Sequence, residues 1–169
     1  MKKLFLIRHA KSSWEDTSLA DFDRPLNKRG KKDAPFMGSI LYKQGVKPDL
    51  ILSSPAKRAY STAKKIAKEL NYSVEKIEKS KKIYLSSPAA LLDIITKQKE
   101  YIQTLLLFGH NPELTELVAQ LCNEHIDNVP TCGIVCISFD VEQWNLINKS
   151  NSKFEYFDYP KNYGQANKD

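Results

Sequence analysis

Short apolar runs separated by polar stretches recur along this chain, at residues 3–7 (KLFLI), 50–52 (LIL), 83–85 (IYL), 105–108 (LLLF) and 133–139 (GIVCISF). Apolar runs of this length, rich in branched and aromatic residues, predict buried strands. Three of them lead into a Ser-Pro or Asn-Pro pair: Ser54-Pro55, Ser87-Pro88 and Asn111-Pro112. Serine or asparagine suits the cap of a helix and proline its first position, where the missing N–H has no partner in any case, so each pair predicts a helix start. Leu114, Leu117, Val118 and Leu121 after the third pair form a helical apolar face. Another helix is expected over residues 30–44, with Met37, Ile40 and Leu41 on one side and Gly45 as its stop. Pro35 inside it calls for a late start or a kink. Further strands are expected at 145–147 and 154–157. Residues 10–28 are polar and predict a long loop, a kind that is usually functional or disordered. Strands alternating with helices predict an α/β fold of three layers, a largely parallel central sheet with helices on both faces. A length of 169 residues fits one domain, placed at 1–159, with 160–169 as a polar tail.

Composition narrows the class. No apolar run approaches the ~18 residues that cross a bilayer, and the four apolar residues after Lys2-Lys3 are too few for a secretory signal, so a cytoplasmic location is expected, with no membrane partner. Cys122, Cys132 and Cys136 are odd in number and lack paired spacing. They are read as reduced packing residues; on one strand, Cys132 and Cys136 would stand about 13 Å apart, beyond a disulfide. With His125 they still make no recognisable metal-ligand pattern, and no metal or cofactor is expected. The net charge is +6, and residues 57–82 concentrate it, with nine basic residues against Glu69, Glu75 and Glu78. That invites an anionic partner, although lysines on a solvated helix face are common. Nucleic acid is not expected, because nothing along the chain resembles a nucleic-acid module. Only four of the 26 basic residues are arginine, namely Arg8, Arg24, Arg29 and Arg58. Where lysine is the general surface cation, each arginine is a candidate for forked anion binding.

In a parallel α/β sheet ligands bind beyond the carboxyl ends of the strands. Arg8 and His9 follow the first strand, Arg58 falls in the first turn of the helix after the second, and His110 lies between a later strand and its helix. Two arginines and two of the three histidines are thus expected at one sheet edge, beside helix N-termini that favour phosphate. His125 has no such setting.

These positions carry a resemblance. Leu6-Ile7-Arg8-His9-Ala10-Lys11-Ser12 resembles the opening motif of the histidine phosphatase superfamily, which has the phosphoglycerate mutase-like fold. Ser53-Ser54-Pro55 through Arg58-Ala59 and Ser61-Thr62-Ala63 is similar to its second motif, and Gly109-His110-Asn111 to its third. Asp23-Arg24-Pro25-Leu26 and Arg29-Gly30, behind Ser12-Ser13-Trp14, resemble the short SixA-type branch, named for phosphohistidine phosphatases. The resemblance implies His9 as nucleophile, with Arg8, Arg58 and His110 holding the transferred phosphoryl group and Ser12 and Asn111 as further substrate-binding candidates. A nucleophilic imidazole must be neutral, and neighbouring arginines favour that form while attracting phosphate. Two departures stand out: Ala10 replaces the glycine common after the histidine, and Glu15 appears where many relatives carry asparagine. Large phosphoesterases of the family also protonate the leaving alkoxide with a carboxylic acid, often from the segment before the third motif. Residues 82–88 (KIYLSSP) have no carboxylate, which leaves Asp21 and Asp23 as candidates. The expected function is a metal-independent phosphatase with a phosphohistidine intermediate, acting on phosphohistidine in a protein and releasing inorganic phosphate. The alternatives are a phosphatase of small phosphoesters such as sugar phosphates or nucleotides, and a non-catalytic phosphoprotein-binding domain.

Overall fold

The computed structural model describes residues 1–164, and in it the alternation of strands and helices closes around one six-stranded sheet. The strands are β1 (Lys2–Arg8), β2 (Leu50–Ser53), β3 (Glu78–Lys79), β4 (Thr104–Gly109), β5 (Ile134–Phe139) and β6 (Ser152–Asp158), in the order β3-β2-β4-β1-β5-β6. The β3-β2, β2-β4 and β4-β1 pairs are parallel, while β5 runs antiparallel to both β1 and β6. Helices α1 (Lys28–Lys43), α2 (Lys57–Glu69), α3 (Pro88–Thr96) and α4 (Glu113–Leu121) complete the fold.

The twofold alternation of a strand sends its side chains to opposite faces, and both faces here are buried. Leu4, Leu6, Leu105 and Leu107 join α3 and α4 in one core, whereas Phe5, Ile7, Leu106 and Phe108 join α1 and α2 in the other. That explains why the central strands read as unbroken apolar runs. The expected helical face holds: Leu114, Leu117, Val118 and Leu121 are all buried. Gly45 ends α1 with φ +77°, while Val46 N–H donates to Leu41 O and Gly45 N–H to Tyr42 O, a glycine-dependent close that satisfies two orphan carbonyls.

Several local expectations fail. Residues 83–85 are not a strand: Lys81–Ile83 is a 3-10 turn that buries Ile83, Leu85 is 82% exposed, and the outer strand is the short polar β3 before it. Residues 145–147 are likewise replaced by a 3-10 turn, Trp144–Leu146, anchored where the buried Trp144 donates its indole N–H to Ile102 O. α1 starts early, not late, because the Asn27 side chain accepts from Gly30 N, and the helix continues through Pro35 with Ala34, Met37, Gly38 and Leu41 buried. Ser54 does not cap α2, which begins at Lys57, and Pro112 occupies the cap position of α4 rather than its first turn. Cys132 lies before β5, with φ +60°, not on it. At the polar tail, Pro160–Tyr163 forms a 3-10 turn in which the Tyr163 hydroxyl donates to Asp158 Oδ2, while residues 165–169 of that expectation lie outside the described residues. No helix of the described residues is long and apolar enough to cross a membrane.

The long loop of residues 10–28 is tied to this frame. Ser12 bridges Leu26, and Asn27 N–H donates to Lys11 O. The loop backbone also packs directly on Gly30, where a Cβ would stand 2.2 Å from the Lys11 carbonyl oxygen. Gly30→Ala therefore has to push loop and helix apart. We expect it to destabilise the fold by about 1–3 kcal/mol, the usual range for overpacking, as read by chemical denaturation.

Candidate active site

Three parallel strands deliver the site. Arg8 ends β1, Gly109 ends β4 beside it, and Ser53 ends β2, with Arg8 opposite Gly109 and Ser53 opposite Phe108 in register. The backbone continues this alignment past the strand ends: His9 N–H donates to Gly109 O and Ser54 N–H to Phe108 O. His9, Ser54 and His110 thus emerge from the same sheet edge. The His9 and His110 rings stand 5.2 Å apart between centroids. α2 adds Arg58 from its first turn, and a short relay fixes that turn against the loop: Ala10 N–H donates to Thr62 Oγ1, and the Thr62 hydroxyl donates to Arg58 O. Behind the site, the Cys132 N–H is shared between Arg8 O and His9 O. A cavity of about 240 Å³ opens at this edge, and Arg8, His9, Ser12, Arg58, His110 and Asn111 all line it, as expected, together with Lys11, Trp14, Arg24 and Thr131.

Hydrogen bonds select the tautomer of each histidine. His9 Nδ1 lies 2.7 Å from Ala10 O, which can only accept, so Nδ1 carries the proton and Nε2 keeps its lone pair. His110 Nε2 lies 2.8 Å from Ser54 Oγ. That oxygen also accepts from Ala56 N–H; where the Ser54 hydroxyl donates to His110 Nε2, the ring proton sits on Nδ1. Among the described residues His110 Nδ1 is buried with no hydrogen-bond partner, and in that tautomer it is free to donate to a bound group. Burial, followed by the charges around it, pushes His9 down to about 3 against the hydrogen bond to Ala10. Burial and then the Arg58 charge bring His110 to about 4, with Asp21 opposing. Both rings are neutral at pH 7. One can offer a lone pair to an electrophile, the other a hydrogen bond to the same group.

The loop places an anion in this cationic site. Asp21 Oδ2 accepts from Arg58 Nη2 at 3.0 Å and from the Tyr84 hydroxyl at 2.7 Å, Oδ1 accepts from Arg24 Nη1 at 3.1 Å, and the Asp21 carbonyl accepts from Arg58 Nη1 at 2.7 Å. Desolvation pushes the carboxyl up, but the bonds from Tyr84 and Arg58, the Arg58 charge and the bond from Arg24 outweigh it and bring Asp21 down to about 2. Of the two acid candidates, Asp21 is thus held ionised, with no proton to give at neutral pH, and Asp23 is exposed and outside the cavity lining.

Other candidates are placed differently from what their motifs suggest. Ser12 Oγ accepts from Arg24 Nη2 at 2.6 Å. The Asn111 amide donates to Asn128 Oδ1 and Val129 O while its oxygen accepts from Thr115, which ties α4 to the preceding loop. Ala10 is fully buried, and Glu15 is exposed. His125 is exposed and bonded to Asp127, remote from the lining residues. All three cysteines are buried and unpaired. Among the described residues no three His, Cys, Asp or Glu side chains group to hold a metal. Sequence reasoning missed two positions. Arg24 stacks 3.2 Å from the Trp14 ring centroid and lines the cavity; its signal was membership in the small arginine set. Ser54 hydrogen-bonds His110 Nε2 and orients the ring; its signal was lost because a serine before proline reads as a helix cap.

Known proteins resemble this chain over most of its length. The family model described as histidine phosphatase superfamily (branch 1) matches residues 4–85. A chloroplast protein of Arabidopsis thaliana is 34% identical over 151 residues, covering 85% of this chain and 69% of that protein. A Mycobacterium tuberculosis protein is 30% identical over 143 residues, covering 78% of this chain and 85% of its own length. Among solved structures, SixA from Agrobacterium tumefaciens superposes with a TM-score of 0.80 at 26% identity, over 94% of this chain and 98% of that one. A protein histidine phosphatase SixA complexed with tungstate shares the fold at TM-score 0.75 and 24% identity, over 95% and 99% of the two chains. With paired histidines and arginines converging at the edge where the family motifs end, this chain belongs to the histidine phosphatase superfamily, in its short SixA-type branch.

Proposed function

We propose that this protein is a phosphatase that transfers a phosphoryl group to His9 Nε2 and that its substrate is phosphohistidine carried by a protein. The observation that carries the substrate class is Asp21. It is in contact with the site arginines and is held ionised, so among the described residues no carboxylic acid there carries a proton to assist an alkoxide. An imidazole departing from phosphohistidine, or a phenolate from an aryl phosphate, is a far better leaving group and needs less acid assistance.

In this scheme the phosphoryl group enters the cavity and competes with Asp21 for Arg58 and Arg24. Arg8, Arg58 and the His110 Nδ1–H stabilise charge on its equatorial oxygens, where positioning and electrostatics supply most of the catalysis of phosphoryl transfer. His9 Nε2 attacks phosphorus as the bond to the substrate nitrogen breaks, and the substrate imidazole, protonated on its other ring nitrogen, leaves neutral while the phosphorylated His9 keeps its Nδ1 proton. Water then attacks the adduct, and inorganic phosphate leaves from neutral His9.

His9→Ala is expected to lower phosphate release from a phosphohistidine-bearing protein in EDTA by on the order of a thousandfold or more, as for removal of other covalent nucleophiles. Unchanged release would reject His9 as nucleophile. With the natural sequence, phosphoramidate and aryl phosphates are expected to turn over faster than alkyl phosphates under matched conditions; equal or faster hydrolysis of sugar phosphates would favour the small-phosphoester reading.

Ser54→Ala removes the hydroxyl that fixes the His110 ring. A fall in kcat of about 3- to 10-fold is expected, the equivalent of one neutral hydrogen bond worth ~0.5–1.5 kcal/mol. Steady-state kinetics on an aryl phosphate would measure it.

The histidines also set a pH dependence. Their folded-state values, about 3 for His9 and about 4 for His110, lie below the ordinary 6.5, so the unfolded chain binds more protons in the interval between. Their contribution to stability is complete above pH 6.5 and is lost progressively as pH falls toward 4 and then 3. Thermal unfolding is expected to show a smaller drop in Tm between pH 7 and 5 for His110→Asn than for the natural sequence.

A further inference from the structure

Resting on the phosphatase reading above, we propose that the lysine surface beside the cavity mouth docks an acidic protein, the carrier of the phosphorylated residue. Two ammonium groups from different elements converge on one ring: Lys64 Nζ, from α2, lies 4.8 Å from the Tyr60 centroid, and Lys79 Nζ, from β3, lies 4.6 Å from it. Lys57, Lys81 and Lys82 are exposed on the adjoining turns. Among the described residues none of these five lysines makes an ion pair, although Glu78 is the direct neighbour of Lys79. Like charges held together without a counterion form a standing positive field, and such a field favours an anionic partner.

The surface is continuous with the site. Lys57 immediately precedes Arg58. Ser80, next to Lys79, donates its N–H to Ser53 O, one residue before the Ser54 that holds His110. Lys81 and Lys82 lead into Tyr84, whose hydroxyl bonds Asp21. Lysines do guard exposed sheet edges against further pairing, and Lys79 sits on such an edge. That role does not account for Lys57, Lys64, Lys81 and Lys82, which lie off the strand.

A protein fits better than a small molecule or a nucleic acid. Trp14 is 70% and Leu85 82% exposed, and Phe22 packs on Tyr84 beside the mouth, so the rim offers apolar side chains that a small phosphorylated metabolite would not cover. The cations outside the cavity are lysines rather than forked arginines, and Tyr60 carries its own lysines instead of a free face for stacking a base.

The test uses three 15-residue peptides around one histidine, flanked by Asp/Glu, by Ser/Gly or by Lys, each with and without chemical phosphorylation by phosphoramidate. They are compared on the natural sequence and on the triple variant Lys79→Glu, Lys81→Glu, Lys82→Glu. Expected for the natural protein at low salt is about tenfold higher kcat/KM and tighter anisotropy-measured binding for the acidic peptide, within the range of electrostatic steering, declining as ionic strength rises. The triple variant should lose that preference while hydrolysing phosphoramidate itself at the natural rate. Equal turnover of all three phosphopeptides, or a preference that survives charge reversal, overturns the docking surface and leaves the phosphohistidine reading intact. Salt-sensitive binding of the acidic peptide that the triple variant loses, without hydrolysis of any phosphopeptide, supports the surface and overturns that reading instead. Binding of a DNA or RNA oligonucleotide with none of the acidic peptide would assign the lysines to nucleic acid and reject the proposal.

Discussion

Everything at the site depends on the register of three parallel strands. β2, β4 and β1 stop at the same level, and the backbone bonds from His9 to Gly109 and from Ser54 to Phe108 carry that alignment one residue beyond the sheet. A slip of one residue in any of them would turn its side chains to the opposite face. The two buried cores make such a slip expensive, because every inward side chain on the central strands is packed on one side or the other. Catalytic geometry is therefore held by the most strongly specified part of the fold rather than by the loop around it.

The second constraint is electrostatic. Arg8, Arg24 and Arg58 are gathered about two histidines with little water, and each guanidinium must find acceptors. Backbone carbonyls serve for Arg8 through Val129 O and for Arg24 through Ser13 O, and Asp21 serves for Arg24 and Arg58 together. The same surroundings keep both imidazoles neutral, which is the state in which one can attack phosphorus and the other can donate a hydrogen bond. Asp21 is thus a half-exposed anion that holds Arg24 and Arg58 in place, and its ionisation removes it from service as an acid. One carboxylate in this setting orders two of the arginines.

Much of this was legible in the chain because it rests on local rules. The apolar runs at 3–7, 50–52 and 105–108, the buried face of α4 and the glycine stop of α1 follow from periodicity and backbone freedom. The placement of Arg8, His9, Arg58 and His110 at one edge follows from the topology those elements impose. The misread segments are those where one distant contact outweighs local preference. Ile83 is buried by a turn rather than a strand, and Trp144 is anchored through Ile102 O; the early start of α1 is instead a local cap, Asn27 accepting from Gly30 N–H.

The sequence by itself determined the α/β architecture, the strand-end location of the chemistry and the identity of the two histidines and two arginines, since these depend on spacing along the chain. Only the tertiary structure decided that Ser54 serves His110 instead of capping α2, that Arg24 joins the cavity, and that Asp21 is an ion-pair partner of Arg58. Those properties are set by hydrogen bonds and charges between residues such as Ser54 and His110, or Asp21 and Arg58, that are dozens of positions apart. No periodicity within a window of sequence encodes them.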